Sequence, residues 1–139
     1  MVIEAVFENV TLKQTIFCEM EKSCPPHCIF ASNTTAIDLI AIGERTNSQD
    51  RIIGTHFFSG FLMNSPAHIM PLVEIIRTNM TSPQVILDLI TLAKTMKKVP
   101  IVVHNCTGFA VSRIVFTYTQ SAHLLANLGI NVFRIDRVI

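Results

Sequence analysis

His56 and Glu74 are the side chains in this sequence best suited to acid–base work. An imidazole has an unperturbed pKa close to neutrality, and a carboxylate bonded to one ring nitrogen fixes the tautomer and raises the basicity of the other. Each sits in an apolar run, Arg51 to Phe58 and Leu72 to Arg77. From sequence alone a His on an apolar strand is more often a hydrogen-bonded core residue. In the polar turn Ser32-Asn33-Thr34-Thr35, Ser32 and Thr35 carry hydroxyls able to donate to a substrate oxygen, or to cap a helix starting near Ile37. Glu8 and Asn105 are the other polar groups directly after apolar runs, where an open parallel sheet faces its ligand crevice. Cys24-Pro-Pro-His27-Cys28 resembles half of a metal clip. The other ligands are missing and the Pro pair reads as a helix-to-strand turn, so no metal is expected.

The elements that must position these groups follow from periodicity. Val2 to Val6 is a β-branched run, and Leu12, Ile16, Phe17 and Met20 recur at helical spacing between Glu8 and Lys22. Pro25-Pro26 stops that helix, Cys28 to Ala31 is a second strand, and a helix over Ile37 to about Glu44 follows. Arg51 to Phe58 and Leu72 to Arg77 read as strands buried on both faces. Ser82-Pro83 is an N-cap and first helical residue ahead of the stripe Val85, Ile86, Leu89, Ile90, Leu92, Ala93, Met96, with Lys94, Lys97 and Lys98 favourable to the dipole at its end. Ile101 to His104 is the fifth strand, and a helix from Gly108 to about Leu128 is closed by Gly129. Strands alternating with helices predict a parallel α/β sheet, with the last helices belonging to a second unit.

The 139 residues are the size of one ordinary domain, half of them hydrophobic, with 11 Lys+Arg against 10 Asp+Glu. A net charge of +1 and a mean hydropathy of +0.46 argue against disorder and against a nucleic-acid partner. The two stretches without Asp, Glu, Lys or Arg, Ile52 to Val73 and Ile114 to Phe133, are interrupted by Gly, Pro, His or amide residues, so no membrane span is expected. Without a basic leader after Met1, the four Cys are read as reduced thiols. The five Gly residues never form Gly-x-Gly, the phosphate-binding turn of dinucleotide folds.

Five motifs in order resemble the 3-hydroxyacyl-CoA dehydrogenases: Val-Ile-Glu-Ala-Val-x-Glu-Asn at 2 to 9, Ala-Ser-Asn-Thr-Thr at 31 to 35, Arg-Ile-Ile-Gly-x-His-Phe-Phe at 51 to 58, Leu-Val-Glu at 72 to 74 and Thr-Gly-Phe-Ala-Val-x-Arg at 107 to 113. The wording is most similar to the dehydrogenase part of plant peroxisomal (glyoxysomal) β-oxidation multifunctional proteins. The resemblance implies a partial Rossmann-type parallel sheet, residues 1–105 being the second half of an NAD-binding domain and 106–139 the start of a helical C-terminal domain. It implies an NAD cofactor, an acyl-CoA substrate, a peroxisomal location and oxidation of (3S)-3-hydroxyacyl-CoA to 3-oxoacyl-CoA. His56 is then the base, Glu74 orients it, and Thr35 holds the substrate oxygen. Glu8, Lys13 and Asn33 match positions near the cofactor.

Three departures qualify the match. The Gly-x-Gly turn is expected upstream of Met1, which would leave Val2 to Val6 as an open apolar edge. Gly60 to Ser65 reads as an insertion between His-Phe-Phe-Ser and Pro-Ala-His. Ser112, at a substrate-positioning place, stands where the family carries Asn, and a hydroxyl cannot make a two-ended amide contact. The isolated chain is therefore expected to have little or no activity. The alternative reading is a truncated, non-catalytic fragment that associates with a full-length dehydrogenase or a missing N-terminal half.

Overall fold

Asn9 begins the first helix by accepting a hydrogen bond from the Leu12 N–H (2.9 Å), one of the donors a helix start leaves unpaired. A computed structural model describes residues 1–58 and 67–138; the insertion read at 60–65 lies outside them. Strand β1 (Val2–Glu4) leads into α1 (Val10–Ser23), which ends as Cys24 N–H bonds back to Met20. β2 (Phe30–Ser32) and α2 (Leu39–Gly43) follow, the latter capped by Asp38. After a 3-10 turn come β3 (Ile52–Phe57) and β4 (Leu72–Arg77), then α3 (Pro83–Thr95), capped by Ser82, and β5 (Val99–His104). The strand and helix order read from periodicity is therefore present, with α2 two residues shorter at its start than Ile37 implied.

The sheet runs in the order β1-β2-β3-β4-β5. Neighbours are parallel at β1–β2, β2–β3 and β4–β5, and antiparallel at β3–β4, with His56 opposite Glu74. The mainly parallel sheet expected from the alternation of strands and helices is present, with one antiparallel pair, β3–β4. The physical reason is in the connection: a parallel return needs a crossover, usually a helix. The segment 58–71 carries Gly60, Pro66 and Pro71 and no apolar stripe of helical period, so β4 returns beside β3 in the opposite sense.

Both faces of the sheet are covered. Phe17, Met20, Phe30, Leu39, Ile42, Ile52, Ile76 and Phe109 form the core under α1 and α2, while Ala31, Ile53, Ile75, Val85 and Leu89 pack on the α3 side. Burying each large aliphatic or aromatic side chain contributes about 1.5–3 kcal/mol, which is why the central strands read as nearly continuous apolar runs. Gly54 lets α2 approach β3: a Cβ there would lie 2.9 Å from Ile76 Cβ and 3.2 Å from Leu39 Cδ1.

The chain divides into two compact units, Met1–Phe109 and Ala110–Ile139. The second contains α4 (Val111–Asn127) and α5 (Val132–Asp136). Gly129, at φ 85°, ends α4 in the left-handed conformation that Gly adopts without penalty, and Ile130 N–H bonds back to Leu125. Among the described residues no helix is long and apolar enough to cross a membrane.

Candidate functional site

The antiparallel register does for His56 and Glu74 what their spacing along the chain could not. Directly opposed residues in such a pair project from the same face within side-chain reach. Here His56 Nδ1 lies 2.8 Å from Glu74 Oε2. Glu74 is fully buried and His56 is 7% exposed. A carboxylate can only accept, so Nδ1 carries the proton and donates it, leaving the Nε2 lone pair as the basic position. The rings of Phe58 (centroid 4.4 Å away) and Phe109 (6.1 Å) flank the imidazole and keep bulk water from its faces. Phe109 takes a positive φ of 45°, strained for a non-Gly residue, directly after Gly108 at 77°. That backbone turns the Phe109 side chain into the core.

The turn after β2 is tied to the same edge. Asn33 Oδ1 accepts from Phe57 N–H (3.0 Å), the residue after His56, and Asn33 N–H donates to the Glu4 carbonyl (2.7 Å). Its Nδ2 makes no hydrogen bond within the described residues. Thr34 takes the local capping role considered for Ser32 and Thr35: its Oγ1 accepts from Ile37 N–H (3.0 Å) and donates to the Glu8 carboxylate. Thr35 is exposed; its N–H donates to Glu8 Oε1 (2.6 Å), and its hydroxyl makes no hydrogen bond among the described residues. Glu8 thus pins the turn while its side chain remains 43% exposed.

Lys13 is wholly buried. Its Nζ contacts Glu4 Oε1 at 2.7 Å, the Val6 carbonyl at 3.2 Å and Glu8 Oε2 at 3.9 Å. Glu4, not singled out in the sequence, is the hub: it also accepts from Val6 N–H (2.6 Å) and Ser32 Oγ (2.8 Å). Its signal was an acid inside an apolar strand, which can be enclosed only with a partner. Ser32 therefore serves this network. Asn105 binds Asp38 and the α2 backbone, joining the end of β5 to the start of α2. Ser112 lies in the first turn of α4, in the second unit. Among the described residues no three His, Cys, Asp or Glu side chains are placed to hold a metal ion.

The arrangement can remove a proton at Nε2 of a buried, oriented imidazole, whose strand is tied to the turn after β2 through Asn33. Residues 1–106 match the model of a family described as 3-hydroxyacyl-CoA dehydrogenase, NAD binding domain. The peroxisomal fatty acid beta-oxidation multifunctional protein of Oryza sativa subsp. japonica is 68% identical over all 139 residues, and the glyoxysomal fatty acid beta-oxidation multifunctional protein MFP-a of Cucumis sativus is 60% identical. The chain spans 18% of the length of each of these relatives. Among solved structures, the 3-hydroxybutyryl-CoA dehydrogenase of Escherichia coli K12 superposes with a TM-score of 0.86 at 30% identity, covering 94% of this chain and 26% of that one. The (S)-3-hydroxybutyryl-CoA dehydrogenase of Ralstonia eutropha gives 0.84 at 35% identity, covering 94% and 44%.

Proposed function

The chain belongs to the 3-hydroxyacyl-CoA dehydrogenase family, and we propose that it carries the proton-handling centre of an NAD-dependent oxidation of (3S)-3-hydroxyacyl-CoA to 3-oxoacyl-CoA. In this reading residues 1–105 are the second half of the NAD-binding domain and 106–139 the start of the helical C-terminal domain. The observation that carries it is the His56–Glu74 hydrogen bond across β3 and β4. His56 Nε2 takes the proton of the 3-hydroxyl, and Glu74 holds the ring and stabilises the imidazolium. A base so placed contributes about 100- to 10,000-fold. The Thr35 hydroxyl, which makes no hydrogen bond among the described residues, holds the substrate oxygen.

The free polar groups beside the base fit the nicotinamide end of NAD. The Asn33 amide and the exposed side of the Glu8 carboxylate would hold it, where NAD supplies the acceptor for the hydride leaving C3. Lys13, enclosed by the fold, acts through Glu8 and Glu4 as a positioning residue. The names of the relatives support a peroxisomal setting, and the family description and the name of the Escherichia coli structure support an acyl-CoA substrate. β1 has Val2 and Ile3 more than a third exposed on an edge of the sheet. That edge fits association with a strand from a full-length dehydrogenase or from an N-terminal half of the same fold.

The test uses this segment within a full-length dehydrogenase that includes the phosphate-binding turn: formation of reduced nicotinamide from NAD and (3S)-3-hydroxybutyryl-CoA, with ligand-observed NMR for binding of each. Turnover by that full-length protein should fall about 100-fold or more in His56→Gln. Turnover unchanged by His56→Gln, or no binding of either ligand, would overturn the proposal.

A further inference from the structure

Lys98 is a half-buried cation whose ammonium is engaged by main-chain carbonyls. α3 closes just before it in a left-handed stop: Lys97 N–H bonds back to the Lys94 carbonyl and Lys98 N–H to that of Ala93 (both 2.9 Å), with Lys97 at φ 57°. Gly is the usual residue at that place, so the Lys97 backbone is strained. The stop turns the chain out of the helix and brings the Lys98 stem to the segment ahead of β4. Nζ donates to the carbonyls of Ala67 (2.5 Å) and Met70 (2.6 Å), which bracket a turn, and Val99 N–H donates to the Pro71 carbonyl (2.7 Å). Among the described residues no carboxylate stands within ion-pair distance of this ammonium. Hydrogen bonds from a charged donor are the strong kind, so the entry to β4 is clamped by Lys98 and Val99 together.

The strand that leaves this clamp carries Glu74. Leu72 pairs with Val99, Val73 with both Pro100 and Phe57, and Glu74 then stands opposite His56. Phe58, whose ring lies 4.4 Å from the imidazole, follows at the same end of β3. We propose that Lys98 is a positioning residue for proton transfer at His56, its ammonium fixing the start of β4 and through it the Glu74 carboxylate against Nδ1. The inference rests on the reading of His56 as the base. A misplacement of about 1 Å costs about 100-fold in rate, so the smaller shift of a strand end that has lost one clamp corresponds to about 10-fold. Lys98 acts on the carboxylate and not on substrate, so the loss belongs to kcat rather than KM.

The test uses this segment within a full-length dehydrogenase that includes the phosphate-binding turn, with NAD and (3S)-3-hydroxybutyryl-CoA carrying hydrogen or deuterium at C3. Lys98→Met keeps the stem and removes the donor: kcat should fall about 10-fold with KM changed by less than about two-fold. The deuterium effect on kcat should hold or rise, because the slowed step is the chemistry. Lys98→Arg still offers a charged donor to the carbonyls and should recover most of the turnover. Because Lys98→Met could fail to fold, Lys98→Gln, with one neutral donor, is measured beside it and should lose about three-fold. His56→Gln in the same protein separates the two readings. If it abolishes turnover while Lys98→Met and Lys98→Gln leave kcat unchanged, Lys98 does not position the base and His56 keeps its role; turnover indifferent to His56→Gln overturns both. A kcat loss that Lys98→Arg does not restore, an equal rise in KM, or a reduced deuterium effect would also overturn the inference, the last by placing the damage in a conformational step.

Discussion

Replacing Glu4 with Gln removes one charge from the enclosed pair beneath the site and keeps the shape. Lys13 Nζ lies 2.7 Å from Glu4 Oε1 with no solvent exposure. At an effective dielectric of about 20, that separation corresponds to about 6 kcal/mol of gross attraction. Part of it survives in the variant, because Nζ keeps the Val6 carbonyl at 3.2 Å and the half-exposed Glu8 carboxylate at 3.9 Å. Breaking one side of a buried pair costs about 3–5 kcal/mol, since the remaining ammonium has lost water and partner together. Against a total stability of about 5–15 kcal/mol, the variant should be near its unfolding threshold. The protein has no Trp and one Tyr, so urea unfolding is best followed by far-ultraviolet circular dichroism. Adding Lys13→Met should return about 2 kcal/mol or more, because the orphaned charge is then gone. A Glu4→Gln loss below about 1 kcal/mol would refute the reasoning, that being the size of an exposed pair. A double variant as unstable as Glu4→Gln alone would also refute it, by showing that the ammonium is not what becomes costly.

Glu74→Gln should lower turnover more than substrate KM and should shift His56 away from the Nδ1–H tautomer, read from ring nitrogen chemical shifts; an unchanged tautomer would show that Glu74 does not set it. Gly54→Ala forces a methyl against Ile76 and Leu39 and should cost about 1–3 kcal/mol in urea titrations. Ser82→Ala removes the acceptor for Val85 N–H and should cost about 1 kcal/mol, with α3 amides near residue 85 exchanging faster. Part-burial raises the Cys24 thiol above its ordinary range, so its thiolate is scarce at neutral pH. Its alkylation by iodoacetamide should be slower than that of exposed Cys106 and should accelerate as pH rises.

Much of the fold is local and could be read from the chain. Ser82-Pro83 caps α3, Asn9 and Asp38 begin α1 and α2, and Gly129 ends α4, each through hydrogen bonds reaching only a few residues. The doubly covered strands show as continuous apolar runs because both side-chain periods face a core. His56, Glu74 and Thr35 were recognisable as chemical groups and, through the motifs around them, as members of one family.

What the tertiary structure decided is which distant groups meet. The direction of β4 relative to β3 depends on how the connection 58–71 returns, and only the antiparallel register sets His56 opposite Glu74. Likewise Lys13 has a place on an amphipathic helix whether or not it is enclosed. Its burial follows from the docking of α1 on β1, which brings Glu4, Val6 and Glu8 around one ammonium. Thr34 rather than Thr35 takes the capping bond from Ile37 N–H, and Glu8, from outside the turn, accepts from both the Thr34 hydroxyl and the Thr35 N–H. Side-chain period and caps are properties of neighbouring residues, so the sequence determines them by itself. Strand direction, register and burial are settled by contacts between segments far apart in the chain, and those come into being only when the layers pack.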